Sequence, residues 1–470
     1  MKIRNLFVLF IFVFLAFGSY AHKKASWNII VDTDGAADDF RMLQIILASP
    51  DFNLNAVCTS DGMLSPEQSA AKIKGMLKFY HHDGIPVAAG VSLGEDFSHR
   101  EFANSLKWPG ESSAEFSRNA VELMLESLNM HSRKNIIIAS GPLTNIAALF
   151  RAYPEVVHNV ERVLWYHNPE KPGMNYLRDK KSAEYVMKVF LGLDFIHIGS
   201  QEIFLDEDFF SFLKSIDNTY VNSLSDFLFQ QPLVNHEYLR KYPVWDECLP
   251  MYLLFPEIFE ESNNGFTPNP SDLLMNMLAV LHVNRPIEGV VWQKNSTEKS
   301  YLRDDVYTIT DSLIQKFGYN EFQVLAMTSE FHGHLGLYSI MGAKMGLRAM
   351  QYFAIGLDEL KVWSYAGKKP PLSCMHDGLQ FSTGASLGFG TIYVVDDVEF
   401  SPKAKFAYGN RQIEIELKPG MQVQFKNDIT KTIEKYGLLT DAYWDEIRRI
   451  GLNYWLRLDK NEIFTIRVIE

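Results

Sequence analysis

The chain reads as an α/β protein, a doubly wound and mostly parallel sheet followed by a separate C-terminal α+β domain. Three observations predict this. Short apolar runs alternate with helical stretches through the N-terminal part. Several runs, among them Asn135–Ala139, are continuously apolar rather than alternating, as parallel strands covered on both faces are. An acidic stretch, Asp32-Thr33-Asp34-Gly35-Ala36-Ala37-Asp38-Asp39, follows the first run directly, at the strand end where such sheets place their ligands.

Taken in order, the chain opens with a targeting segment. Lys2 and Arg4 precede an apolar run from Leu6 to Phe17, and Ser19-Tyr20-Ala21 offers small residues for cleavage. Residues 1–21 therefore read as a signal peptide without a lipid-anchoring cysteine, and the protein as periplasmic or secreted. The apolar run is short for a retained membrane span. The strand candidates are Asn28–Thr33, Leu54–Thr59, Pro86–Ala89, Asn135–Ala139, Arg162–Tyr166 and Phe195–Gly199. Between the second and third, Ser65-Pro66-Glu67-Gln68 is a capping box with proline at the first helical position. Ser262-Asn263-Asn264-Gly265 marks a break within or near the end of this domain. The domain is placed at 22–313 and the second at 314–470, where Tyr393–Val395, Lys405–Tyr408, Arg411–Leu417 and Phe464–Val468 read as strands.

The 470 residues carry 47% hydrophobic and 22% charged residues, a well-packed globular composition. A net charge of −12 with no basic stripe excludes a nucleic-acid partner. Three scattered cysteines make no disulfide framework.

The acidic stretch carries the chemistry. Asp32 and Asp34 fall on one face of a strand, while Asp38 and Asp39 open a helix. Alone, Asp38 would be a helix N-cap and Asp39 a first-turn charge. Two carboxylates about 4 Å apart repel by roughly 4 kcal/mol at an effective dielectric near 20, so four at a strand end call for a cation or several donors. Oxygen ligands suit calcium or magnesium.

Four further segments lie at expected strand-to-helix junctions: Ser60-Asp61-Gly62, Ser140-Gly141-Pro142-Leu143-Thr144-Asn145, Asn175 with Asp179, and Trp245-Asp246-Glu247. With the Asp-Thr-Asp-x-x-x-Asp-Asp pattern, the set resembles the nucleoside hydrolase family, from Trp27 to near residue 300. The resemblance implies one calcium held by Asp34, Asp39, the Thr144 main chain and Asp246, with Asp34 also the general base. It implies that Asp38 and Asn175 hold ribose hydroxyls, and it sets Asp61 near a position usually occupied by asparagine. Two departures stand out: Trp245 where the family commonly has a leaving-group histidine, and Gly173 where it has a sugar-contacting glutamate. His167 is the candidate replacement acid. The implied activity is calcium-dependent hydrolysis of an N-glycosidic ribosyl bond, on a small nucleoside-like substrate. The rival reading is a non-catalytic calcium-dependent sugar or nucleoside binder. A homo-oligomer is compatible with either.

Phe331-His332-Gly333-His334, Cys374-Met375-His376-Asp377 and Thr383-Gly384-Ala385 resemble the family of E-type subunits of formylmethanofuran dehydrogenases, over roughly 318–410. The resemblance implies a metal centre. Gly336 and Ala385 stand where two of its cysteines are expected, leaving His332, His334 and Cys374, with His376 or Asp377, as ligands for a zinc ion. This domain is expected to shape the substrate entrance or to bind metal.

Overall fold

The structure is a computed structural model that describes residues 27–94, 99–112, 119–130, 135–282, 297, 299–396 and 398–469. The expected leader, 1–21, lies outside the described residues. Eight strands form one sheet in the order β3-β2-β1-β4-β5-β6-β8-β7. They are β1 Trp27–Thr33, β2 Phe52–Thr59, β3 Val87–Ala89, β4 Asn135–Ala139, β5 Val160–Tyr166, β6 Leu193–Ile196, β7 Phe259–Ser262 and β8 Gly265–Pro268. All neighbours pair in parallel except the β7–β8 hairpin. Ser262 to Gly265 is thus a hairpin turn inside the sheet, within the first domain.

The period of two divides the strand side chains between two cores. Ile29, Val31, Ile136 and Ile138 enter one, and Ile30, Ala56, Ile137 and Ala139 the other. Helices cover both faces, which explains the continuous apolar runs. The helix Pro66–Phe79 begins at Ser65 with the expected reciprocal capping box.

The C-terminal unit holds a five-stranded sheet, β10-β9-β11-β12-β13. Its strands are β9 Lys361–Ser364, β10 Ile392–Val394, β11 Lys403–Tyr408, β12 Arg411–Leu417 and β13 Phe464–Ile469. Against it pack the helices Leu337–Phe353 and Met375–Thr383. The expected boundary at 313/314 falls within the helix Asp304–Phe317. That helix buries Leu313 with Phe322, Leu325 and Trp455, so packing joins it to the C-terminal unit.

The two units meet at the amino ends of the large sheet. The Leu54 N–H donates to the Ala354 carbonyl (3.1 Å) and the Gly84 N–H to the Tyr352 carbonyl (2.9 Å). The Gly356 N–H donates to Asn53 Oδ1 (2.8 Å), and the Tyr408 hydroxyl to Asn55 Oδ1 (2.7 Å). Asn53 and Asn55 begin β2, whereas Thr59 ends it. At about 3.3 Å per residue the two ends lie some 20 Å apart. The C-terminal unit therefore sits away from the carboxyl ends and does not shape an entrance there. No described helix is long and apolar enough to cross a membrane.

Candidate active site

The carboxyl ends of β1, β2, β4 and β5 carry the acidic cluster. β1 stops at Thr33, and Gly35 turns the chain with φ +80°, a conformation that favours glycine. The helix Ala37–Ala48 then starts with Ala36 as its N-cap, so Asp38 and Asp39 occupy its first turn. Asp39 is fully buried and accepts from the hydroxyls of Thr33 and Ser140 and from the Ala36 N–H (2.7 Å). Asp34 accepts from the Met63 N–H (3.2 Å) and shares a hydrogen bond with Asp39. Asp246, just before the helix Cys248–Leu254, meets Asp38.

Oxygen atoms of Asp38, Asp39 and Asp246 lie within 4.8 Å of one another, and all three residues are buried. Burial is the first cause that raises each of these carboxyls, and their mutual repulsion adds to it. Burial likewise pushes Asp34 up to about 6, with Asp38 contributing. The nearby Arg41 is committed to Glu247 and to the Pro243 carbonyl (2.5 Å). Three converging buried carboxylates without a dedicated cationic side chain fit a hard divalent cation.

The structure places the expected site residues as follows. Asp38, expected on a ribose hydroxyl, belongs to the converging trio, and Asp34 stands beside it. Asp32 is outside the cluster; it accepts from Asn145 Nδ2 (2.9 Å), which also donates to the Thr59 carbonyl (3.0 Å). That bond fixes the helix Thr144–Ala152, and burial lifts Asp32 to about 7. The Thr144 hydroxyl donates to Asp179 (2.8 Å). Asn175 donates to the Tyr166 carbonyl (3.2 Å). Asp61 is fully buried and saturated by Arg100, Arg178, Ser92 and the Leu93 N–H, rather than open to a sugar.

His167 stacks between Trp165 (ring centroids 4.3 Å) and Tyr176 (5.3 Å), and its Nδ1 has no hydrogen-bond partner. Burial lowers it to about 4, which keeps it neutral and makes it a poor proton donor near neutral pH. The Trp245 ring lies parallel to Tyr238 (6.2 Å), and the Trp245 backbone N–H donates to Glu247 Oε2 (2.9 Å). Arg41, Arg100, Arg178, Ser140, Tyr238 and Glu247 carry roles that sequence reading missed. Only Ser140 and Glu247, which lie in the segments singled out above, bore a signal.

The expected C-terminal ligands lie in one region but do not converge as a group of three. Among the described residues, the trio Asp38, Asp39 and Asp246 is the one group of three metal-ligating side chains that converges; His332, His334 and Cys374 do not. His332 instead pairs through Nδ1 with Asp377 (2.6 Å), and its ring lies 4.4 Å from that of His334. Cys374 is half-buried, with its thiol raised by burial and by Asp377. A Cβ at Gly336 would lie 2.8 Å from His332 Nε2. Any side chain at that position would have to push the imidazole aside.

Residues 331–464 match the family model FmdE, from the molybdenum formylmethanofuran dehydrogenase operon. The pyrimidine-specific ribonucleoside hydrolases RihA of Salmonella paratyphi B and Salmonella typhi are 29% identical over 251 residues, spanning 49% of this chain and 80% of theirs. Among solved structures, a purine-preferring ribonucleoside hydrolase from Gardnerella vaginalis aligns at 15% identity with a TM-score of 0.46, covering 54% of this chain and 98% of that one. An inosine-uridine preferring nucleoside hydrolase from Bacillus anthracis aligns at 16% identity and 0.44, covering 55% and 99%. The family model for inosine-uridine preferring nucleoside hydrolases matches residues 29–301, more than half of the sequence and all but the first two residues of the sheet that bears the acidic site, and the chain belongs to that family.

Proposed function

We propose that the chain is an exported, calcium-dependent hydrolase of an N-glycosidic bond to ribose, with Asp34 taking the proton of the attacking water. The observation that carries this reading is the buried trio Asp38, Asp39 and Asp246, with Asp34 hydrogen-bonded to it at the carboxyl ends of parallel strands. When bound, a calcium ion supplies Lewis acidity and a grip on a vicinal diol, and the carboxylates of the trio with the Thr144 main chain would hold it. The reaction breaks the bond between the anomeric carbon and the base nitrogen. The water oxygen bonds to that carbon, and the base leaves with the electron pair and gains a proton. Positive charge develops on the sugar in the transition state, and buried carboxylates stabilise it.

Asp34 is held for its task by the Met63 N–H and by close packing from Gly62 and Gly141. Trp245 and Tyr238 offer an apolar wall where a leaving base can lie. With Trp245 in place of a histidine and His167 neutral, the leaving group must be one that departs with little protonation. These same departures favour a second reading, calcium-dependent binding without turnover.

The test is ribose release by the purified protein from a panel of pyrimidine and purine nucleosides in calcium. Release that Asp34→Asn abolishes is expected. Bound calcium with no ribose from any member would leave binding as the function. Export is tested by amino-terminal sequencing of the mature protein from the periplasm or medium, expected near His22.

A further inference from the structure

The leaving-group side of the acidic site is built from aromatic rings. Trp245 adjoins Asp246 of the trio and is half-buried. Its ring lies parallel to Tyr238 within 18°, and Phe204 stands edge-on to Tyr238 (6.1 Å). Backbone bonds join the two strips that carry these rings. The Val244 N–H donates to the Ile203 carbonyl (2.8 Å), and the Leu205 N–H to the Tyr242 carbonyl (3.1 Å). The wall is also tied to the helix Ala37–Ala48, which bears Asp38 and Asp39. Arg41 of that helix donates to the Pro243 carbonyl (2.5 Å) and to Glu247, and Glu247 accepts from the Trp245 backbone N–H (2.9 Å). Aromatic faces and carboxylates are thus fixed together.

Both halves of this arrangement favour a cation. Aromatic faces attract positive charge, tryptophan most strongly. The Lys241 ammonium already lies over the rings of Phe204 (5.6 Å) and Tyr238 (5.8 Å). One divalent cation against the carboxylates of Asp34, Asp38, Asp39 and Asp246 leaves the reacting end negative, and it stays so with one proton shared between Asp34 and Asp39. Arg41 adds no net charge, because buried Glu247 pairs with it. The same site is poorly equipped to protonate a departing base. Trp245 carries no titratable group. His167 is walled in by Trp165 and Tyr176 with its Nδ1 unpartnered, and burial keeps it neutral near neutral pH. A neutral nucleoside expels a ring nitrogen that takes on negative charge and needs a proton. A ring that is already positive leaves as a neutral molecule and needs none.

We propose that the preferred substrate is a ribosyl heteroaromatic cation, of the N-ribosylpyridinium or 7-alkylpurinium type, whose charged ring stacks on Trp245 and Tyr238. This rests on the N-ribosyl hydrolase reading above. Water adds at the anomeric carbon and gives a proton to Asp34. The electron pair of the broken carbon–nitrogen bond neutralises the ring, which leaves uncharged, and ribose is the second product.

Two pairs of probes differ in ring charge: nicotinamide riboside against its neutral dihydro form, and 7-methylguanosine against guanosine. With the full-length protein in calcium, kcat/KM is expected to be about a hundredfold or more higher for the charged member of each pair. Calorimetry on Asp34→Asn, expected to be inactive, should show nicotinamide riboside binding about tenfold tighter than the dihydro form. Trp245→Leu, or Tyr238→Leu at a side chain 37% exposed, should bring that binding ratio close to one, with circular dichroism checking the fold. Equal use of 7-methylguanosine and guanosine, or a binding ratio unmoved by both Trp245→Leu and Tyr238→Leu, overturns the proposal. The binding arm separates it from the hydrolase reading. Tighter binding of nicotinamide riboside with no turnover of any probe would remove the hydrolase and keep the cation site. Equal binding of nicotinamide riboside and its dihydro form would remove the cation site whatever the turnover.

Discussion

Gly62 lies so close to Asp34 that one added methyl group tests the site. An ideal Cβ on Gly62 would stand 2.0 Å from Asp34 Oδ2 and 2.6 Å from its Cβ and Cγ. Ordinary contact begins at 3.4 Å, so the oxygen must retreat by 3.4 − 2.0 = 1.4 Å. Gly62 has no positive φ, so alanine strains no backbone there and the steric effect stands alone. A displacement of about 1 Å at a reacting group can cost about a hundredfold in rate, or about 2.7 kcal/mol. Overpacking one methyl group costs about 1–3 kcal/mol of stability, which a folded protein survives. Gly62→Ala is therefore expected to lower kcat/KM for ribosyl release about a hundredfold while the protein still melts cooperatively. Gly420→Ala, which meets nothing within 4 Å, is the matched control and should behave as the parent. Activity of Gly62→Ala within threefold of the parent would refute the placement of Asp34 at the reacting centre.

Chelation should destabilise the protein, because the trio's repulsion then stands uncompensated. At a hundredfold excess over its Kd, calcium is expected to add about 2.7 kcal/mol, seen as a calcium-dependent Tm, and identical melting with and without it would contradict the metal site. His82 is buried between the units, with its ring bonded to the Gln351 carbonyl (2.5 Å) and the Tyr220 hydroxyl (3.0 Å), and burial lowers it to about 4. Arg348, His81 and Lys460 face it and add to that lowering. Between pH 6.5 and 4 the unfolded chain binds a proton that the folded chain refuses, so stability is full above 6.5 and falls by up to about 3 kcal/mol towards pH 4. His82→Asn should flatten this slope in pH-dependent denaturation, and an unchanged slope would refute the assignment. Asn55→Leu removes two buried bonds, to Tyr408 (2.7 Å) and Asn135 (3.1 Å), at a cost of about 2–5 kcal/mol. Calorimetry should then show the two units melting apart; a single transition at the parent temperature would count against the docking of the units through β2.

Element type was legible wherever period and capping agreed, as at Ser65 with Gln68 and along Asn135–Ala139, which the structure reproduces residue for residue. β9 went unseen because Lys361–Ser364 is four residues long, too short for alternation to speak. The boundary at 313/314 cuts the helix Asp304–Phe317 because a change of composition does not say which core a helix joins. In the site, spacing along the chain revealed Asp34, Asp38 and Asp39 as a group but could not divide their roles. That division depends on where Asp246 arrives, about two hundred residues later. The arginines on Asp61 were invisible because each reads as an ordinary surface cation until the loops after β3 and β5 fold over the strand ends.

The position of the second unit decides how its chemistry can bear on the first. It grips Asn53, Leu54, Asn55 and Gly84 at the amino ends of β2 and β3, while Asp34, Asp61 and Thr144 stand beyond the carboxyl ends. A cavity of 1220 Å³ along the seam is lined by Phe52, Tyr80, His82, Ile355 and Lys460, none of them in the acidic site. The C-terminal unit can therefore influence hydrolysis by steadying the starts of strands, not by handing a substrate across. His332→Ala, which removes the hydrogen bond with Asp377 (2.6 Å), makes the case testable. Its effect should be confined to the melting of the C-terminal unit, with kcat/KM for ribosyl release within threefold of the parent. A tenfold fall would mean that the imidazole acts on the distant site through a coupling that this docking does not provide.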